Sequence, residues 1–342
     1  MARQVIQEVE CADPGDHPAV KAWLGLGSKP VTPQRIYTLK ERHKMSSKSA
    51  VYRLEGLTAQ GGAVIAKRCR RWSALLERRI YEKILPRLSM EAPEFLGFVE
   101  PAGGPFCWLF TEDVGDRWYS PLDAGHRALL GRWLGRLHVR SAGMAISDLP
   151  ERGPDYYYRR LLRIGTGIEQ IQDALRLSPD HRSTLRAIAL DCDALTRHWL
   201  EIETLCDGFP RTLVHGDLVR KNLRIRRQQG NERVIAVDWE NACLGVPAID
   251  LAQSHDIGSL PDIAASPDLS SYWSVVRDRW QHLDSRDLGR LADVGTLFRC
   301  LDALVWEIER LEADGYVYRC MQRMNIFRTF LDVSLRAMGI YP

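Results

Sequence analysis

No stretch of this chain runs apolar for the ~18 residues that a membrane span requires. Its N-terminus, "MARQVIQEVE", lacks the basic start and apolar run of a secretion signal. An excess of one charge is also missing. The 47 Lys and Arg against 44 Asp and Glu leave a formal +3 over 342 residues, too little to argue for nucleic acid or a membrane as partner. Basic groups such as "KRCRRW", "YYYRRLLR" and "RIRR" are short and scattered, as solvated faces are. Eight cysteines occur, at Cys11, Cys69, Cys107, Cys192, Cys206, Cys243, Cys300 and Cys320, yet none forms a C-x-x-C pair or joins histidines at zinc spacing. Cys107 in "FCWLF" and Cys300 in "LFRCLDAL" lie in apolar runs, where a thiol is a small core residue. Free thiols fit a reducing compartment, so a cytoplasmic protein is expected. Repeats and low-complexity tracts are absent too.

What remains is an ordinary globular composition, 45% hydrophobic and 27% charged, long enough for about two domains. The first ~140 residues mix strand and helix. "RIYTLKE" (35–41), "AVYRLEG" (50–56) and "AVIAKRC" (63–69) read as strands, the last two joined through "LTAQGG". "SALLERRIYEKIL" (73–85) spaces Leu75, Leu76, Ile80, Ile84 and Leu85 along one helical face, with Ser73 as N-cap. "FCWLFTEDVG" (106–115) is a further strand running into a polar segment. Helical spacing then dominates, over 126–140, 156–177, 183–205, 270–283 and 294–315. One β segment interrupts it: "LRIRR" and "RVIAV" form a hairpin with Gly230 and Asn231 in the turn. The reading is an α+β, two-lobed chain, cut into a β-rich lobe (1–112) and a larger helical lobe (113–342) with the embedded hairpin.

The chemistry lies in "LVHGDLVRKNLRI", a polar knot between apolar flanks. Asp217 follows the strand-like "TLV", and Asn222 comes five positions later. Beyond the hairpin, "VIAVDWE" delivers Asp238 at the end of an apolar strand. A hairpin brings its outer ends together, so Asn222 and Asp238 are expected as neighbours, with Asp217 on the loop leading in. Carboxylate and amide oxygens in that number suit Mg²⁺ and nucleotide phosphates, and leave one carboxylate to face a nucleophile.

"HGDLVRKN" with "AVDWENACLGVPAIDLA" resembles the aminoglycoside phosphotransferase and choline kinase families, cousins of the protein kinases, whose catalytic loop shares the Asp-to-Asn spacing. The match is strongest over 211–252 and weaker, in the right order, from about 35 to 140. It implies a bilobed protein-kinase-like fold, ATP and Mg²⁺ as cofactors, and a small-molecule hydroxyl acceptor. Asp217 is then the catalytic carboxylate, Asn222 and Asp238 the metal ligands, and His215 and Asp250 the scaffold of the loop. Lys67 becomes the phosphate-binding lysine, fixed by Glu77 in an E-x-x-x-Y pattern, with Glu82 as the weaker rival. Thr111 and Asp113 of the hinge offer backbone groups to adenine.

The chain departs from the pattern at the nucleotide loop. "KMSSKSAVY" has Ser46, Ser47 and Ser49 where glycine is frequent; hydroxyls and backbone N–H groups still bind phosphate. Val219 occupies a position that is often small or polar. Arg220 and Lys221 either help neutralise the transferred group or are solvated and structural. Only eleven residues separate Asp238 from Asp250 and no A-P-E follows, which argues against a protein kinase. A silent nucleotide-binding module is the alternative from another class. Substrate contacts are assigned to Glu240, Tyr157, Trp306 and Glu307, from a wider set with Tyr156, Tyr158, Trp273 and Asp302, most of which at helical spacing reads more readily as core. Family frequency makes an aminoglycoside or related amino sugar the default acceptor; a choline-like alcohol, a sugar or another metabolite is the alternative.

Overall fold

Alternating burial along short strands builds the first part of the molecule. A computed structural model describes residues 7–8, 13–27, 31–40, 49–57, 62–146, 148–174, 177–228, 230–253, 264–314 and 317–341. The chain divides into two units, Met1–Arg117 with Arg224–Asn241, and Trp118–Leu223 with Ala242–Pro342.

In the first unit β1 (Gln7–Glu8) precedes α1 (Pro18–Leu24), β2 (Arg35–Lys40), β3 (Ser49–Glu55), β4 (Ala63–Arg70), α2 (Arg71–Arg79), α3 (Leu85–Arg87), β5 (Phe95–Val99) and β6 (Phe106–Glu112). The strands form one antiparallel sheet in the order β1-β2-β3-β4-β6-β5. On one face Leu54, Val64, Ala66, Trp108 and Phe110 pack with Ala19 and Val20 of α1. A fully buried side chain of this size stabilises by ~1.5–3 kcal/mol. The other face carries Cys69 and Cys107 against Ala74 of α2. Period-two alternation puts Lys67 on this second face, opposite Val51 and Leu109 in the sheet register.

The helix expected over 73–85 is interrupted. After α2 a π-helical turn spans Ile80–Ile84, closed by the Leu85 N–H on the Ile80 carbonyl. Pro86 has no N–H with which to continue an α-helical ladder, and the wider turn absorbs that loss.

The hairpin of β9 (Leu223–Gln228) and β10 (Asn231–Ala236) groups with the first unit from Arg224 on. This differs from a single cut after residue 112. Ile225 donates its N–H to the Arg117 carbonyl at 2.8 Å, Arg226 pairs with Glu112 at 2.8 Å, and Arg117 pairs with Glu232 at 2.5 Å. Asn231 is already in β10, while Gly230 takes the left-handed turn at φ +80°.

The second unit contains α4 (Ala124–Ser141), β7 (Glu151–Arg152), α5 (Pro154–Ala174), α6 (Pro179–Arg197), α7 (Trp199–Asp207), β8 (Thr212–Val214), β11 (Cys243–Gly245), α8 (Ala248–Leu251), α9 (Leu269–Val276), α10 (Ser285–Asp314) and α11 (Val317–Ala337). The stretch read as one helix over 183–205 is two, broken at His198. A small sheet ordered β7-β11-β8 pairs Leu213 with Leu244, which sets where the chain leaves β8. The close approach of α10 to α8 requires glycine: a Cβ on Gly295 would lie 1.9 Å from the Ala248 carbonyl oxygen. Among the described residues all seven cysteines are buried and free, and no helix is long and apolar enough to cross a membrane.

Candidate active site

The loop after β8 is held from below by one carboxylate. Asp250 of α8, 2% exposed, accepts the backbone N–H of His215 at 2.7 Å and of Gly216 at 3.0 Å. Gly216 adopts φ +76°, a conformation that suits glycine and turns the chain toward Asp217. His138 of α4 lies against the same carboxylate, Nε2 to Oδ2 at 3.5 Å, and meets the Tyr272 hydroxyl through Nδ1 at 3.0 Å. Neither His138 nor Tyr272 was singled out in the sequence. A buried histidine inside "GRLHVR" gives no signal distinct from core.

A short 3₁₀ turn over Arg220–Asn222 then folds Asn222 back. Its Nδ2 donates to the Asp217 backbone carbonyl at 2.8 Å and to Asp217 Oδ2 at 3.1 Å. With its donors turned to Asp217, the amide presents Oδ1 on its other side, an oxygen of the kind magnesium takes. Two cations flank the same carboxylate. Lys221 Nζ stands 3.5 Å from Oδ2 on a side chain 57% exposed, and Arg299 Nη2 stands 3.5 Å from Oδ1 on a side chain 17% exposed. Arg299 comes from α10, and nothing in the sequence linked it to Asp217.

In the first unit, Lys67 of β4 donates to the Glu77 carboxylate of α2, to Asp238 Oδ1 at 2.5 Å, and stands 4.0 Å from Glu240 Oε2. Glu77, Asp238 and Glu240 each have an oxygen within 4.8 Å of the others, a set able to hold a cation; here the ammonium of Lys67 faces all three. Burial works against that charge, yet the three carboxylates hold the Lys67 ammonium well above its usual range. Burial pushes Glu77 up to about 7; Lys67 opposes the rise and Asp238 adds to it. Asp238 itself sits at φ +68°, rare for a non-glycine residue, beside the buried hydroxyl of Tyr81. Tyr81 completes the E-x-x-x-Y spacing from Glu77. Asp238 belongs to the first unit and Asn222 to the second. Each side chain by itself offers an oxygen of the kind magnesium takes.

Other expected residues fall elsewhere. Ser46 and Ser47 lie outside the described residues. Ser49 is the buried first residue of β3, paired with Cys69. Thr111 is buried inside β6, between Ile65 and Phe95. Asp113 uses its carboxylate on Arg53 at 2.5 Å and on the Gly115 N–H at 2.9 Å, and its own N–H meets the Ala63 carbonyl at 3.4 Å. Glu82 is on the surface, paired with Arg78 at 3.0 Å. Tyr157, 1% exposed, stacks on Phe298 with centroids 3.9 Å apart, a core position. Glu307 is also 1% exposed and is bound by Arg310 at 2.9 Å and Arg323 at 2.5 Å. Asp302 accepts from Tyr156 at 3.2 Å and pairs with Arg160 at 3.1 Å. Trp306 is exposed.

A family model described as the phosphotransferase enzyme family matches residues 46–285. No curated protein sequence matches the chain. Among solved structures, a microcompartment-associated aminopropanol kinase is 15% identical, with 88% of this chain and 93% of that one covered and a TM-score of 0.58. Choline kinase from Cryptosporidium parvum is 12% identical over 90% of this chain and 92% of that one, at a TM-score of 0.56. Spectinomycin phosphotransferase, solved with ADP and spectinomycin, is 10% identical over 89% and 94%, at a TM-score of 0.51. At such identities the likeness shows the fold, which is protein-kinase-like.

Proposed function

The chain belongs to the phosphotransferase enzyme family, and from that premise we propose ATP- and Mg²⁺-dependent transfer of the γ-phosphoryl group to a hydroxyl of a small molecule. The observation that carries the reading is the grip of Asn222 on Asp217, on a loop anchored by Asp250. Asp217 orients the acceptor hydroxyl and takes its proton as the acceptor oxygen bonds to phosphorus and the bond from phosphorus to the ADP oxygen breaks. Late proton uptake suits the loose transition state of such transfers. Lys67, fixed by Glu77, binds the phosphates. Asn222 Oδ1 and the Asp238 carboxylate are the residues that would hold magnesium, which would supply neutralisation of charge on the phosphates. ADP in the structure of spectinomycin phosphotransferase supports a nucleotide as donor.

For the acceptor, the pairing of charges supports a neutral or anionic hydroxy compound, such as a sugar or sugar acid, over an aminoglycoside or a choline-like cation. The carboxylates of Asp302 and Glu307 are already bound by arginine, and Arg299 and Lys221 stand beside Asp217. An ammonium group next to the reacting hydroxyl meets like charge there. The known acceptors of the similar structures, aminopropanol, choline and spectinomycin, keep cationic compounds in the test.

A panel of sugars, sugar acids, amino sugars, aminoglycosides and choline-like alcohols is assayed for ADP release with the wild type and Asp217→Ala. We expect turnover with a neutral or acidic sugar, reduced by ~10²–10⁴-fold in Asp217→Ala. Turnover that survives the substitution removes Asp217 from its role, and preference for a polycation overturns the acceptor assignment. Thermal stabilisation by ATP with no turnover across the panel identifies a silent nucleotide-binding module instead.

A further inference from the structure

We propose that Arg299 is a positioning residue for Asp217, fixing the carboxylate that faces the acceptor hydroxyl; this rests on the role given to Asp217 above. The two oxygens of that carboxylate have different partners. Asn222 donates to Oδ2 at 3.1 Å, and the Arg299 guanidinium meets Oδ1 at 3.5 Å. Rotation of the carboxylate about its Cβ–Cγ bond breaks both contacts at once, so the pair sets the direction in which its lone pairs point. Contacts on both oxygens resist that rotation more than the Asn222 donor does by itself.

Lys221 also reaches Oδ2, but with more than half of its side chain in water, where screening and side-chain entropy dilute an ion pair. The Arg299 side chain is mostly enclosed, and its Nε is buried with no hydrogen-bond partner among the described residues. Asp302 follows one helical turn along α10, close enough to feel the charge of Arg299, and is itself held by Arg160 and Tyr156. Enclosure in the packing around α10, with a carboxylate nearby, limits how far the guanidinium can move. As a stability device it is poor, since burying a cation costs about as much as one ion pair returns. That asymmetry separates the two roles: a positioning residue controls turnover while a structural one controls melting.

The test uses the full-length protein and ADP release from Mg·ATP, with D-glucose as acceptor or, where glucose does not turn over, water. Arg299→Gln is expected to lower kcat by ~10–100-fold, the scale of a misplaced reacting group, with KM for ATP and the melting temperature unchanged. Arg299→Lys is expected to recover part of that loss. The double variant with Asp217→Asn is expected to be no slower than Asp217→Asn alone, because both act through one carboxylate. In ¹⁵N-arginine-labelled protein, the Nε–H signal assigned by its absence in Arg299→Lys is expected to shift in Asp217→Asn; this readout stands even if Arg299→Gln fails to fold. Wild-type kcat in Arg299→Gln, losses that multiply in the double variant, or an unmoved signal each overturn the proposal. Turnover lost in Asp217→Asn but kept in Arg299→Gln defeats the proposal alone, whereas turnover kept in Asp217→Asn defeats the role of Asp217 and the proposal with it.

Discussion

Replacing Asp250 tests whether the loop carrying Asp217 is held as the geometry implies. The carboxylate accepts two backbone N–H groups, from His215 at 2.7 Å and Gly216 at 3.0 Å, and His215 is 0% exposed. Removing the acceptor strands both donors, and an unsatisfied buried donor costs ~1–3 kcal/mol. Asp250→Ala is therefore expected to lose about 2–6 kcal/mol. Asp250→Asn keeps one oxygen but turns an amide NH₂ toward the second donor, so its loss falls to about 1–3 kcal/mol. At no more than roughly 2–4 °C per kcal/mol for a chain longer than ~250 residues, Asp250→Asn should melt roughly 2–12 °C below wild type. Calorimetry measures the shift, and hydrogen exchange over residues 213–218 reports whether the His215 and Gly216 amides lose protection. Turnover should fall with them, because Asp217 is the next residue. An Asp250→Asn protein that melts with wild type and keeps both amides protected refutes the reasoning.

Three other perturbations probe separate parts of the chain. Gly295→Ala forces a Cβ to within 1.9 Å of the Ala248 carbonyl oxygen; overpacking of this kind costs ~1–3 kcal/mol or more, and a melting temperature equal to wild type would show that α8 yields freely. At Asp238, φ +68° penalises a side chain by ~1–2 kcal/mol, so Asp238→Gly should be more stable to urea than Asp238→Ala while calorimetry finds Mg²⁺-dependent ATP binding lost in both; an Ala variant as stable as Gly removes the strain argument. At Asp302, burial raises the carboxyl above its ordinary range against the pull of Arg160. The folded protein then keeps a proton that the unfolded chain releases. The contribution is fully present below the ordinary carboxylate value of ~4 and is lost as pH rises through the raised one. Asp302→Asn should flatten the fall of stability as pH rises above the ordinary carboxylate range, and parallel wild-type and variant profiles would contradict this.

Much was legible from order along the chain. Alternation marked β2, β3 and β4; the five-residue step from Asp217 to Asn222 is a local turn, and the two do meet. Lys67 and Glu77 lie only ten positions apart, one strand and one helix, and their pairing follows from that short path. The break at Ile80–Ile84 had its signal in Pro86, whereas the break at His198 had none. Period and spacing are properties of the backbone, and they survive whatever the rest of the chain does.

Tertiary packing decided which charges are already satisfied. Helical spacing offered Tyr157, Asp302 and Glu307 as core more readily than as lining, and their partners Phe298, Arg160, Arg310 and Arg323, brought in by other turns and helices, could not be read from that spacing. Arg299 reaches Asp217 across 82 residues, and Asp250 reaches His215 across 35. A charged side chain has no fixed partner in one dimension, because its energy depends on which opposite charge lies within a few ångströms and how much water is left between them.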